Sequence, residues 1–339
     1  MVGCSSLLFV FAAIGSGQSQ SIHRYEYSIE RMGTRMRVVL YAQDAMAGQR
    51  AANAAFERIE ELEQAMSDYR EESELNRLAR EAVNRPQGVS PELFFVLEHA
   101  QNFSRLSAGG FDITIGPVVR LWREARRSHR LPSAEEIAQA RGLVDYRNLE
   151  LDIPTRTVML KRPGMQLDLG GIAKGYAADE AMRVLQAHGI RSALVALGGD
   201  IRVMGTPPGA RGWKIEIENP DPRGRKPLCS VTLKGAAIST SGDTHQFLEA
   251  GGKRYSHIIE PASGIALGAA AGTTVIARDG ISADALATAL SVMPTDDGLE
   301  MIESVEGASA FLVRRTASGF KYSRSLNFPQ SCGQKSAKE

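Results

Sequence analysis

Asp284 and Thr288 stand four residues apart in SADALATAL, a spacing that puts both side chains on one face of a helix. With a backbone carbonyl from elsewhere they would form a hard oxygen site suited to Mg²⁺. The plainer roles are a carboxylate that complements the helix dipole and a threonine that packs. DLGGIAKGYAAD, Asp168 to Asp179, leads glycines into a helix with Lys174 near its start. Such a turn either brings phosphate to helix N–H groups or is simply a tight strand–helix junction. It is neither a Walker A loop nor a GxGxxG fingerprint. His245 in STSGDTHQF and His257 in RYSHIIEPASG lie at strand or loop edges, where imidazole can accept a proton or merely complete a core. In SAGGFDITIGP, Gly109-Gly110 end a helix beside Phe111 and Asp112, most simply as a helix-ending turn with a buried Phe, and Tyr69 in MSDYREESELNRL could stack on a flat ring, join the core or cap a helix.

The surrounding pattern supplies the elements that must position these groups. Residues 25–42 alternate around a Gly and read as a hairpin or two strands. Phe56, Ile59, Leu62 and Met66 recur at helical spacing within 44–66, and Ser90-Pro91-Glu92 opens a second helix that ends before Gly109. The basic run REARRSHR, 123–130, reads as a solvated surface loop. From residue 149 short strands dominate (LELD, TVMLK, MQLDL, ALVALGGDIRVMG, WKIEIENP, SVTLK, AAIST, RYSHIIEP, TTVIAR). One helix closed by Gly189 interrupts them, and a last Ala-rich helix follows with Ser282 as its cap. No regular βαβ rhythm or fixed-period repeat is present. The expected class is α+β, with a helical N-terminal part and a β-rich C-terminal part.

The chain has 339 residues, 40 basic against 39 acidic, and a formal net charge of +1. That balance gives no electrostatic footprint for nucleic acid, and no partner of that kind is expected. The three cysteines, Cys4, Cys229 and Cys332, sit in no metal-ligand spacing. Cys229 reads first as a buried thiol; a Cys229–Cys332 disulfide requires a chain outside the cytoplasm. SSLLFVFAAI, 5–14, followed by GSGQSQS, resembles the apolar region and cleavage zone of a secretory signal peptide, although no cationic segment precedes it. The expected organisation is a leader over 1–22, one domain over 23–325 that could comprise two subdomains, and a polar tail over 326–339. The mature chain is expected in the periplasm or on the outer face of the inner membrane. Gly3-Cys4 resembles the end of a lipobox, but the apolar run follows it instead of preceding it, so a lipid anchor is the lesser reading.

No single motif decides a function, but their order does. MGT at 32–34, MSDYREESELNRL, GGFDITIGP, DLGGIAKGYAAD, ALGGD, ISTSGD, SHIIEPASG and ADALATAL together resemble the FAD:protein FMN transferase family, the ApbE-like flavin transferases, over about residues 30–315. The resemblance implies a T-fold-like α+β domain with mixed or antiparallel sheets. FAD is then the substrate, Mg²⁺ the metal, and the acceptor is a redox-pump or electron-transfer flavoprotein subunit that takes FMN on a Thr or Ser. Met32, Tyr69, Gly110, Phe111, Asp112, Asp168, Lys174 and Ile258 match FAD-contacting positions of the family. Mg²⁺ is implied at the carbonyl of Gly171 with Asp284 and Thr288, and His257 matches the candidate base for the acceptor hydroxyl. Tyr69 and Phe111 would then offer stacking surface to the flavin. Position 171 is Gly where many relatives have Ala, and Glu260 and Ser263 stand where relatives usually carry Asp and Thr. The same cleft could serve a Mg²⁺-dependent FAD pyrophosphatase releasing FMN and AMP, or a non-catalytic exported flavin-binding protein. No motif assigns His245 a role.

Overall fold

The computed structural model describes residues 21–220, 226–242, 247–250, 252–268, 271–316 and 318–332. Most of the expected leader, the end of the tail, Cys4 and His245 lie outside these residues. The N-terminal alternation folds as a hairpin of β1 (His23–Arg31) and β2 (Thr34–Ala42). Its turn puts Met32 and Gly33 at φ 51° and 68°. Left-handed backbone suits Gly33 and is sparsely populated for Met32.

Helix α1 (Ala45–Met66) starts where the Asp44 carboxylate accepts from the Ala47 N–H. Short α2 (Glu74–Glu81) and β3 (Gln87–Gly88) precede α3 (Pro91–Leu106), which Ser90 caps with Pro91 in the first turn as expected. The basic stretch is not a loop. Residues 123–128 of it lie in α4 (Gly116–Ser128), because Val118, Trp122 and Ala125 recur at helical spacing and are buried. Then come α5 (Ala134–Arg141), β4 (Leu149–Asp152), β5 (Thr157–Leu160) and α6 (Ala173–Ala187). MQLDL is not a strand; Gln166 makes only an isolated bridge to Ile115.

The C-terminal part runs through β6 (Ala193–Leu197), β7 (Asp200–Met204), β8 (Trp213–Ile217), β9 (Cys229–Leu233) and β10 (Ala237–Gly242). Short strands follow, β11 (Phe247–Ala250), β12 (Lys253–Ser256), β13 (Ile259–Glu260) and β14 (Ile265–Ala266), then the longer β15 (Ala271–Ala277). RYSHIIEP is thus two strands broken by a bend at His257. The chain continues as α7 (Gly280–Val292), α8 (Thr295–Glu303), β16 (Ser309–Thr316) and β17 (Gly319–Arg324). The cap of α7 is Asp279, which accepts from the Ser282 N–H, so Ser282 is inside the helix; α8 follows, so α7 is not the last helix.

One antiparallel sheet, ordered β1-β2-β6-β7-β10-β15-β16-β17, joins the two ends of the chain. The two-residue period sends alternate side chains to opposite faces. Met36, Val38 and Leu40 of β2, with Val195 and Leu197 of β6, face a large core under α1, α6 and α7. Val39, Leu194, Phe311 and Val313 face a second core with Trp213 of the β8–β9 hairpin, Phe328 and Cys332. In that core Cys229 and Cys332 form a disulfide, with Cα atoms 5.2 Å apart, which corrects the free-thiol reading. A third, small cluster joins α4 to the short strands through Trp122, Leu248, Ile259 and Ala266. The α+β class and antiparallel sheet agree with expectation. The helical and β-rich halves are not separate units, since β1 and β2 complete the C-terminal sheet.

Candidate active site

Two glycines decide how α6 and α7 meet. A Cβ on Gly175 would lie 2.1 Å from the Gly280 carbonyl oxygen, so only glycine permits this crossing. The close approach brings Asp284 to the start of α6, where its Oδ2 accepts from the Gly175 N–H at 3.0 Å. That N–H is therefore already engaged. No hydrogen bond among the described residues reaches Asp284 Oδ1, although the residue is only 2% exposed. Gly171 makes a similar allowance: a Cβ there would lie 2.8 Å from Thr288 Oγ1, and the Thr288 hydroxyl stands 3.5 Å from the Gly171 carbonyl oxygen.

Lys174 lies between two buried carboxylates, 2.5 Å from Asp200 Oδ2 and 3.7 Å from Asp284 Oδ2. Burial alone would lower the lysine pKa, but Asp200 and then Asp284 more than offset it and hold the ammonium protonated. Asp284 is pushed well above the carboxylate range by burial and by the charge of Asp200, against Lys174. Asp200 is fixed in turn by the Ser239 hydroxyl, which donates to its Oδ1 at 2.6 Å. It opens β7 just after the Gly198-Gly199 turn, where a Cβ on Gly199 would lie 2.6 Å from the Thr240 carbonyl oxygen. Thr34, beside Met32, packs against Gly198 on the other side. The MGT, ALGGD, ISTSGD, DLGGIAKG and ADALATAL motifs therefore converge at one end of the sheet.

A second cluster carries Tyr69. The Arg123 guanidinium lies 4.1 Å from the centre of the Tyr69 ring, bonds Asp68, and reaches Asp168 Oδ2 at 2.9 Å. Asp168 also accepts from the Gly170 N–H, and its own N–H donates to the Ile113 carbonyl, which joins the DLGG and GGFDITIG segments. Burial and the Asp68 charge push Asp168 above the usual carboxylate range, with Arg123 opposing them. Sequence reasoning missed Arg123, Asp68, Asp200 and Ser239. The recurrence of Val118, Trp122 and Ala125 was the available signal for Arg123, since it marks the basic stretch as a half-buried helix.

The remaining expected residues fall in different settings. Phe111 is in the core, edge-on to Phe103, as the plainer reading of a buried Phe expects, so its ring offers no open stacking surface, contrary to what the resemblance implied. The Asp112 carboxylate is occupied by the Thr114 N–H and hydroxyl and by the Tyr146 N–H, a turn-forming role. Gly110 reaches the wall of a cavity of about 560 Å³, shared with Pro261, Ala262, Val292 and Met293. Val292 follows Thr288 by four residues on α7, but neither Thr288 nor Asp284 lines this cavity. His257 and Ile258 are half-buried in the bend between β12 and β13. Their hairpin is anchored to α4 and α5, where Trp122 Nε1 donates to the Gly264 carbonyl and Arg141 Nε to that of Ala262. The Ser263 hydroxyl donates to Glu260 at 2.6 Å, so the pair replacing Asp and Thr locks its own turn.

The model of the ApbE family matches residues 32–312. An FAD:protein FMN transferase of Klebsiella pneumoniae (strain 342) is 31% identical over 292 residues, 86% of this chain and 89% of that protein. One of Vibrio cholerae (strain O395) is 30% identical over 332 residues, 97% of each chain. The apo structure of Pseudomonas stutzeri flavinyl transferase ApbE superposes with a TM-score of 0.80 at 30% identity, covering 93% of this chain and 98% of that one. The apbe protein of Thermotoga maritima gives 0.81 at 32% identity, over 90% and 98%.

Proposed function

This chain belongs to the ApbE family, and from that premise we propose that it is a Mg²⁺-dependent FAD:protein FMN transferase. In the proposed reaction a Thr or Ser hydroxyl of a partner protein attacks the FMN-side phosphorus of FAD. A new P–O bond joins FMN to the acceptor, the diphosphate P–O bond breaks, and AMP leaves. The observation that carries the reading is the convergence of the Gly171 carbonyl, Asp284 and Thr288 beside Lys174.

That donor set fits the metal. It consists of hard oxygens, one of them from a carboxylate that is only 2% exposed, and two oxygens sharing Mg²⁺ at about 2.1 Å each lie about 3–4 Å apart. Bound there, the ion would neutralise charge on the diphosphate oxygens. Lys174, held charged by Asp200, adds a fixed cation where negative charge accumulates. His257 takes the proton of the attacking hydroxyl, a weak nucleophile at neutral pH; an unperturbed imidazole titrates near ~6.5 and suits that role. Tyr69 offers an open aromatic face to the flavin. Met32, Gly110, Ile258 and the Asp168 loop complete the contacts, Gly110 through its backbone.

The acceptor in this reading is an electron-transfer flavoprotein subunit outside the cytoplasm. The apolar run at 5–14 and the Cys229–Cys332 disulfide both support export. Incubation with FAD and Mg²⁺, with and without a Thr-bearing acceptor, tests the function. AMP released only with acceptor is expected. AMP released equally without it would make the protein an FAD pyrophosphatase, and no AMP in either case would leave a flavin-binding protein.

A further inference from the structure

We infer that Arg123 is a positioning residue of the flavin site, holding the Tyr69 ring as an open platform and tying that platform to the glycine-rich loop at Asp168. The inference rests on the reading above that this cleft takes FAD. Tyr69 is 76% exposed, yet one face of its ring lies against the Arg123 guanidinium. An exposed tyrosine otherwise samples several rotamers, and binding a flat ligand would have to immobilise it. Here the cation–π contact sets the ring plane in advance and leaves the opposite face to a ligand.

The guanidinium is itself held from two sides. Asp68, adjacent to Tyr69 in sequence, and Asp168, which opens the loop carrying the Gly171 carbonyl, both pair with it, and both carboxylates are largely buried. One planar group therefore spans the ring platform and the proposed phosphate and metal end. Only a fork of donors on a stackable plane does both, so lysine is not its equivalent. Burial would lower the Arg123 pKa, but Asp168 and Asp68 offset it and keep the charge in place.

The rest of the α4 face agrees. Arg120, one turn before Arg123, donates to Asn76 Oδ1 at 3.0 Å, and Asn76 Nδ2 donates to the carbonyls of Asp68 and Arg70, on either side of Tyr69. Arg126, one turn after, has no acidic partner among the described residues. Three arginines on one helical stripe thus face the Tyr69 loop.

A double-mutant cycle tests this. Arg123→Lys and Tyr69→Ala, singly and together, are titrated with FAD and with ADP, which lacks the ring, in Mg²⁺, and quenching of flavin fluorescence is followed at saturation. Arg123→Lys is expected to weaken FAD roughly tenfold and reduce the quenching. Because Arg123 also holds Asp168, ADP is expected to weaken too but less than FAD, and the loss for FAD is expected to shrink in the Tyr69→Ala background. Arg123→Gln, planar but neutral, repeats the cycle if the lysine variant does not fold. Wild-type FAD affinity in these variants, equal losses for FAD and ADP, or equal losses in both Tyr69 backgrounds would each overturn the role of Arg123. If the unmutated protein binds no FAD, the flavin reading fails and this inference fails with it; binding that Arg123 variants do not alter overturns this inference alone.

Discussion

In the proposed reaction, His257 is the residue on which the acceptor half of the chemistry turns. It sits in a bend anchored to α4 and α5, whereas Asp284 and Lys174 are held by Gly175 and Asp200, so replacing it leaves those bonds in place. His257→Ala is expected to keep FAD affinity within a few-fold while transfer falls by about 10²-fold, the scale of a lost general base. A flavin titration and the flavin fluorescence of the acceptor on a denaturing gel check the two halves. Normal transfer by the variant would assign the proton to another group. At this scale the motifs were legible where a rare residue type is needed at a fixed spacing, as with Asp284 and Thr288. They were ambiguous where a side chain serves the fold: Phe111 fills the core, as the plainer reading of its turn expects, and Asp112 fastens that turn. Arg123 was hidden because an arginine among the four other charged residues of REARRSHR looks solvated until Trp122 is seen to turn the helix inward.

Among the elements, α6 and α7 form the frame of the site, and their contact allows a steric prediction. Gly175→Ala places a methyl 2.1 Å from the Gly280 carbonyl oxygen, backbone against backbone, so the helices must separate. Urea unfolding is expected to show a loss of about 1–3 kcal/mol or more, the range for overpacking, with activity falling further because Asp284 leaves the α6 terminus. Unchanged stability would mean the crossing is looser than this. The start of α7 adds a pH dependence. Asp179 accepts from the Gly280 and Ile281 N–H groups and pairs with Arg202, but burial, the largest influence, pushes its carboxyl up to about 6 from an ordinary 3.8. The native state then binds the proton more tightly than the unfolded chain. This contribution to stability is present below about pH 4 and is lost as pH rises towards 6. Stability against pH should fall more steeply over that window in the wild type than in Asp179→Asn, and identical slopes would contradict it. Helix boundaries with side-chain caps, such as Ser90-Pro91, were readable from local chemistry. The start of α7 was shifted because Asp279 and Ser282 are both good caps and only packing at Gly280 selects the first.

For the whole molecule, the sheet order could not be read locally. β1 and β2 pair beside β6, more than 150 residues along the chain, and nothing in either segment names its partner. The disulfide is a second such long-range link, with a sequence separation of 103. Cys229→Ser with Cys332→Ser is expected to lower stability by about 2–5 kcal/mol while leaving transfer near normal, since the bridge lies in the core on the opposite sheet face from α6 and α7. Unfolding with and without reductant measures the first effect and the acceptor assay the second; loss of transfer without loss of stability would place the bridge in the site. In the proposed function, the oxygen set at Gly171, Asp284 and Thr288 holds the Mg²⁺ on which transfer of FMN to a protein hydroxyl depends. Intact-mass analysis of a Thr-bearing acceptor after incubation with enzyme, FAD and Mg²⁺ measures this directly. One added FMN is expected on the acceptor with the wild type. No addition is expected with chelator, with Asp284→Asn at ordinary Mg²⁺, or when the acceptor threonine is replaced by valine. An acceptor modified equally by wild type and Asp284→Asn in the presence of chelator would contradict it.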